Sequence, residues 1–319
     1  MNSTTTEKIE LTVIVPITER FDPISDLYYK YKNSIETLGI TYEFIYSLDG
    51  HQPEALSELT KLQENEKLTV VTLAKCFGEA TVLNAAFGQS SGDIFLTLPA
   101  YEQIETKDIP KLVAELDSND MVLARRWPRK DSFINRFQAN AFNFLLSFAT
   151  SLKMHDAGCS ARAFKRKVID EINIYGDLHR FFPVMAHQQG FRVIEVDIAQ
   201  AKKDSFARVY SPGTYVRRLL DLLTIFFLVK FTKKPLRFFG LVGSTLLGLG
   251  AAITMYLIID RMFFGVDLGD RPMLVLSSLL IILGIQVIAI GLIGEIIIFT
   301  HARKIKEYTI EKIINYPNK

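Results

Sequence analysis

Leu11-Thr12-Val13-Ile14-Val15-Pro16-Ile17 is a short apolar, β-rich run closed by a proline. A run of that length and composition reads as a buried strand. The pattern recurs at Phe44 to Leu48, which ends on Asp49-Gly50, and again at Leu68 to Leu73 and Ile94 to Leu98. Helical patterns at about 24–38, 53–64 and 79–89 lie between these runs. Strands alternating with helices predict an α/β fold with a mostly parallel, doubly wound sheet. Such sheets bind ligands outside the carboxyl ends of their strands. The residues to examine are therefore Thr18-Glu19, Asp49-Gly50, Lys75-Cys76-Phe77-Gly78 and Pro99-Ala100-Tyr101.

Further along, a long amphipathic segment covers about Ser132 to Leu152 and a loop follows at His155 to Ser160. A helix is expected to begin near Lys165, and Phe191 to Ile198 reads as a late strand. The chain then changes character. It has 319 residues, 49% of them hydrophobic, and a mean hydropathy of +0.17. The excess sits in two uncharged runs, Phe238 to Ile259 and Pro272 to Gly294. Each is long enough to cross a hydrocarbon core of about 30 Å. A buried hairpin in a soluble core is the alternative, but two uncharged runs of this length are rare there.

The N-terminus has neither a basic nor an apolar leader region, so no signal peptide is expected. Lys230, Lys233, Lys234 and Arg237 precede the first run, and Arg303, Lys304 and Lys306 follow the second. Lysine and arginine flank cytosolic ends, so both termini are expected in the cytosol and about Asp260 to Arg271 outside. The expected divisions are a globular domain over 1–212, a juxtamembrane amphipathic helix over 213–234, a two-helix hairpin over 235–300 and a tail over 301–319. The net charge of +2 says little about partners, and no nucleic acid is expected. The nine Lys and Arg against two acids between Lys202 and Arg237 suit anionic headgroups, a lipid phosphate or a plain topology signal. Cys76 and Cys159 lack metal-site spacing and should remain thiols in the cytosol.

Five stretches carry a resemblance: Val13-Ile14-Val15-Pro16; Lys75-Cys76-Phe77-Gly78 through Ala85-Ala86-Phe87 and Ser91-Gly92-Asp93; Asp156-Ala157-Gly158-Cys159-Ser160-Ala161-Arg162-Ala163-Phe164; Pro235-Leu236-Arg237; and Gly291-Leu292-Ile293-Gly294-Glu295. In this order, with two terminal spans, the chain resembles family 2 glycosyltransferases of the polyprenyl-phosphate branch, similar to dolichyl-phosphate mannose synthase and the undecaprenyl-phosphate transferases. The resemblance implies a GT-A domain, Rossmann-like, that binds a nucleotide sugar. It also implies inverting transfer of one sugar to a polyprenyl phosphate at the cytosolic face of the inner membrane, with Mg²⁺ or Mn²⁺ on the donor diphosphate.

The chain departs from that pattern where the metal would sit. The family's Asp-x-Asp reads Pro99-Ala100-Tyr101, and hard cations want carboxylates. Its Tyr-Asn-Glu reads Thr18-Glu19-Arg20, and its Asp-Asp-Gly-Ser reads Leu48-Asp49-Gly50-His51. No metal ligand set is assigned; Asp93, Glu102 and Glu105 are the carboxylates near enough to replace one. The resemblance places Pro16, Glu19, Asp49, Lys75, Gly78 and Tyr101 at the donor. It places Asp156 as a catalytic base or acceptor-orienting acid, and Arg126, Arg129, Arg136, Arg162 and Lys203 on phosphates. For each, a packing, capping or solvated role is the alternative. Intramembrane Glu295 suits a helix–helix hydrogen bond, snorkelling or a functional site. Gly243, Ser244, Gly248, Gly284, Gly291 and Gly294 offer small faces for a homo-oligomer or a lipid-tail groove. Three functions stay open: an active transferase with a weakened metal site, a catalytically silent membrane scaffold or regulator, and a helper for moving lipid-linked sugars.

Overall fold

β1 (Leu11–Ile17) is buried along its whole length, as a strand covered on both faces must be. The computed structural model describes residues 8–18, 20–129, 152, 154–156, 158–172, 179, 181–204, 235–265 and 272–301. The chain divides into two compact units, Met1–Leu222 with Glu307–Lys319, and Leu223–Lys306.

In the first unit the alternation predicted from sequence is present. β1 is followed by α1 (Ile24–Glu36), β2 (Tyr42–Leu48), α2 (Pro53–Gln63), β3 (Leu68–Thr72), α3 (Glu79–Gly88) and β4 (Ile94–Thr97). Then come α4 (Ile109–Ala114), β5 (Met121–Arg126), β6 (Arg162–Lys165), α5 (Arg166–Glu171), α6 (Phe182–Gln188) and β7 (Val193–Ile198). The sheet order is β3-β2-β1-β4-β6-β5-β7. All neighbours are parallel except β6, which runs antiparallel to both β4 and β5. β2 starts two residues before the apolar run, because Tyr42 and Glu43 still pair with Leu11 and Thr12.

Helices cover both faces of the sheet. α1 buries Ile24, Leu27, Tyr28, Tyr31, Ser34 and Ile35, the three-and-four spacing of one helical stripe. It joins α2 and α4 over one face of β1, β2 and β4. On the other face Phe87 of α3, Phe95 of β4, Phe164 of β6 and Phe182 of α6 pack with ring centroids 5.1 to 5.9 Å apart. Gly92 lets the turn before β4 press against β1: a Cβ there would lie 2.7 Å from the Thr12 backbone nitrogen.

In the second unit α7 (Pro235–Phe264) and α8 (Pro272–His301) form an antiparallel hairpin. Both are long and apolar enough to cross a membrane. A Cβ on Gly243 would meet the Gly284 carbonyl at 2.7 Å, and one on Gly250 the Ser277 carbonyl at 2.9 Å. Close approach of this kind is what small residues permit. Gly243, Gly250 and Gly284 are thus spent on contact within the hairpin, and the outward residues are bulky, Leu241, Met255, Leu279 and Ile285 among them. Glu295 accepts a hydrogen bond from the Leu236 backbone N–H at 3.4 Å, a contact between the two helices. The 213–234 segment and the tail beyond residue 301 lie outside the described residues.

Candidate functional site

β1 has β2 on one side and β4 on the other, so the connections leave it in opposite directions. The crevice at such a switch is where open α/β sheets place ligands. Here the loop after β1 is tied to the loop after β4. The Asp22 backbone N–H donates to the Ala100 carbonyl at 2.8 Å, and the Asp22 carboxylate accepts from the Glu102 N–H at 2.9 Å. The Tyr31 hydroxyl donates to the Pro99 carbonyl at 2.9 Å. Burial holds that phenol well above its usual pKa, so it remains a donor. Pro99 and Ala100 are buried, while the Tyr101 ring is partly exposed. The Arg20 guanidinium lies over that ring, 4.3 Å from its centroid.

The antiparallel course of β6 brings its starting end, and the loop before it, to the same edge. Gln103 stitches that loop to β4. Its side-chain N–H₂ donates to the Tyr101 hydroxyl at 3.2 Å and to the Gly158 carbonyl at 3.3 Å. Its side-chain oxygen accepts from the Ser160 N–H at 2.9 Å and from the Cys159 thiol at 3.5 Å. Burial pushes that thiol up to about 12, so Cys159 is a packing residue and not a nucleophile. Nothing in the sequence singled out Gln103; only a three-dimensional view shows its four partners.

Asp156 and Arg126 face each other. Arg126 Nε donates to Asp156 Oδ2 at 2.7 Å and Nη2 to Oδ1 at 2.8 Å, a two-pronged pair. The Arg126 backbone N–H adds a third bond to Asp156, and Nη1 reaches Asp204 at 2.9 Å. Arg129 lies 3.7 Å from the same carboxylate. Burial pushes the Asp156 carboxyl up, but the hydrogen bonds and charge of Arg126, with the charge of Arg129, outweigh it and hold the group below the usual aspartate range. Glu195 of β7 fixes the loop by accepting from the His155 and Asp156 backbone N–H groups. Asp156 is thus held as a carboxylate paired with Arg126, and most of the donors of Arg126 are engaged by Asp156 and Asp204.

Other expected site residues divide in the same way. Arg162 is buried in β6, where it donates to the His179 carbonyl at 2.7 Å. Pro16 is buried inside β1, which continues through Ile17, so it does not line the edge. The Asp49 carboxylate accepts from the Phe77 N–H at 2.7 Å and the Gly78 N–H at 3.1 Å. It therefore shapes the loop after β3, where Gly78 takes the positive φ of 93° that opens α3. Lys75 is exposed, 5.1 Å from the Phe77 ring centroid. Glu19 and Arg136 lie outside the described residues, as does the side chain of Lys203.

The described residues do not fit Mg²⁺ or Mn²⁺. Pro99 offers only a carbonyl already bonded to Tyr31, and Tyr101 offers a phenol bonded to Gln103. Two of the three substitutes fail by position or by partner. Asp93 precedes β4, at the opposite end of the strand, and pairs with Lys8 at 2.7 Å. Glu102 pairs with Lys30 at 2.7 Å. Among the described residues no three metal-ligating side chains converge.

Comparisons with known proteins agree with this architecture. The model of the family "Glycosyl transferase family 2" matches residues 12–173. The chain is 30% identical over 325 residues to the undecaprenyl-phosphate 4-deoxy-4-formamido-L-arabinose transferase of Proteus mirabilis, covering 99% of this chain and 98% of that one. It is 28% identical over 304 residues to the dodecaprenyl-phosphate galacturonate synthase of Rhizobium johnstonii, covering 93% and 90%. Among solved structures, mannosyl-3-phosphoglycerate synthase from Rubrobacter xylanophilus superposes with a TM-score of 0.54 at 10% identity, over 68% of this chain and 73% of that one. Glucosyl-3-phosphoglycerate synthase from Mycobacterium tuberculosis gives 0.52 at 12%, over 69% and 78%. At these identities the structural likeness speaks for the GT-A fold alone.

Proposed function

We propose that this chain, which belongs to glycosyl transferase family 2, moves one sugar from a nucleotide sugar to a polyprenyl phosphate at the cytosolic face of the inner membrane. One observation carries the reading. The likeness to polyprenyl-phosphate sugar transferases runs through nearly the whole chain, hairpin included. In the reaction an oxygen of the lipid phosphate attacks the anomeric carbon from the side opposite the donor diphosphate. The new C–O bond forms as the bond to the diphosphate breaks. The electron pair leaves with the nucleoside diphosphate, and the configuration at that carbon inverts.

A lipid phosphate is already an anion, so the attack requires no general base. The engagement of Asp156 by Arg126 is therefore compatible with catalysis. In this reading Asp156 and Arg126 position the loop through Gly158 and Ser160, one wall of the crevice. What the reaction does require is cationic help for two anions brought together, and that help is independent of a divalent metal here. The silent-scaffold reading is favoured by one observation, the proline and tyrosine at the metal positions.

The deciding experiment uses the full chain in liposomes containing undecaprenyl phosphate, with a panel of radiolabelled UDP- and GDP-sugars. Label should enter the lipid extract for at least one donor. Nucleotide binding with no lipid-linked product from any donor supports the scaffold. The membrane orientation has its own check. Asp267→Cys should react with an impermeant thiol reagent added outside, and Lys319→Cys should not; the reverse pattern inverts the topology.

A further inference from the structure

We infer that Arg20, stacked on Tyr101, is the resident cation of this site: it receives the donor diphosphate where relatives with two aspartates would use a metal ion. The inference rests on the transferase reading above and goes beyond it by naming the group that replaces the metal.

The argument begins with position. Arg20 follows β1 and Tyr101 follows β4, so the pair spans the switch in strand order. Tyr101 also stands at the second of the two positions where the family resemblance expects an aspartate. Replacing a carboxylate by a phenol removes a metal ligand and supplies an aromatic face. That face holds a guanidinium at 4.3 Å.

The second argument concerns what Arg20 leaves unused. Two other described arginines lie over rings in this unit. Arg125 sits 4.8 Å from the Trp127 ring centroid but pairs with Asp197 at 3.4 Å. Arg166 sits 4.9 Å from the Phe95 centroid but donates to the carbonyls of Gly92 and Ser90. Among the described residues Arg20 makes neither an ion pair nor a hydrogen bond through its guanidinium; its contact is the ring. A guanidinium that lies over a ring and makes no hydrogen bond among the described residues keeps its N–H fork for a ligand, and that fork matches two oxygens of a phosphate.

The third argument is that Arg20 is not needed as a clamp. Asp22 already ties the two loops with hydrogen bonds at 2.8 and 2.9 Å. Gln103 holds the far end of the Tyr101 ring. The ring is fixed before any ligand arrives, so the cation is placed in advance. When the sugar leaves the donor, the electron pair of the broken bond stays on the diphosphate, and a fixed cation there stabilises the developing charge without reorganisation.

The test measures binding of UDP, GDP, CDP and dTDP to the detergent-solubilised full chain by calorimetry, each in EDTA and in Mn²⁺. The wild type should bind at least one of them in EDTA, with an affinity that Mn²⁺ changes by less than threefold. Arg20→Gln should weaken that binding at least tenfold, Arg20→Lys by less, and Tyr101→Leu should approach the Arg20→Gln value, while Tyr101→Phe keeps the ring and most of the affinity. Melting temperatures of all four variants serve as the folding control. Binding that requires Mn²⁺, or that Arg20→Gln in a folded protein leaves unchanged, overturns the inference while the transferase reading stands. Binding of none of the four nucleotides under either condition overturns both.

Discussion

At the end of β5 an arginine and a carboxylate pair with each other; at the ends of β1 and β4 an arginine lies over a ring with no acid paired to it among the described residues. Both arginines lie at the same edge of the sheet. The difference is what folding has already done with their charge. Arg126 gives its fork to Asp156 and its remaining reach to Asp204, so a diphosphate would have to displace two anions to use it. Arg20 has no such competitor among the described residues. A cation at a strand end is therefore open to a ligand only where folding leaves it without a competing anion.

The most severe way to break this comparison is Asp156→Ala. It leaves Arg126 buried and uncompensated, and breaking a buried pair from one side costs about 3–5 kcal/mol. The melting temperature of the full chain should fall by roughly 10 °C. A melt within about 2 °C of wild type would mean that the pair does not anchor the loop. Arg20→Gln should give the opposite result, a large loss of nucleotide affinity with almost no change in melting.

Gln103→Leu sharpens the contrast from the other side. It strips partners from the Ser160 N–H and the Gly158 carbonyl, part-buried hydrogen bonds worth about 0.5–1.5 kcal/mol each. It also frees the Tyr101 hydroxyl, so both stability and nucleotide affinity should drop. A drop in stability alone would show that the ring keeps its place without Gln103.

The smallest expected effect is a pH dependence. The folded Asp156 carboxyl is held below its ordinary value of 3.8. A depressed carboxylate contributes stability that is present above the unfolded pKa and is lost as pH falls through the folded one. The melting difference between wild type and Asp156→Asn should therefore be flat from about pH 8 down to about pH 5, and shrink only below the usual aspartate range. A difference that fades near neutrality would place the pair in a different ionisation state.

The first half of the sheet was legible because parallel strands covered on both faces carry near-continuous apolar runs, and β1, β2 and β4 have them, while the edge strand β3 showed through its β-branched residues. β5 and β6 were not. β5 ends in Arg125-Arg126, and β6 is four residues long and begins and ends in a basic residue. The site was legible as a set of positions and illegible as a set of partners. Asp156 and Arg126 each stood out, but they lie 30 positions apart in a chain that carries no pattern for their pairing. Arg20 stood in a motif noted only for its mismatch. Its meaning depends on Tyr101, which lies one strand over in space and far along the chain.

One reversed strand has a consequence for how such a protein can diversify. Because β6 runs backward, the segment entering it, and not the one leaving it, arrives at the crevice. The crevice thus has two walls drawn from separate parts of the gene, one encoded by the exits of β1 to β4 and the other by the stretch before β6. A substitution between Gly158 and Ala161 reshapes the second wall without moving any parallel strand. Mutation can therefore retune one side of the crevice while the other is inherited unchanged.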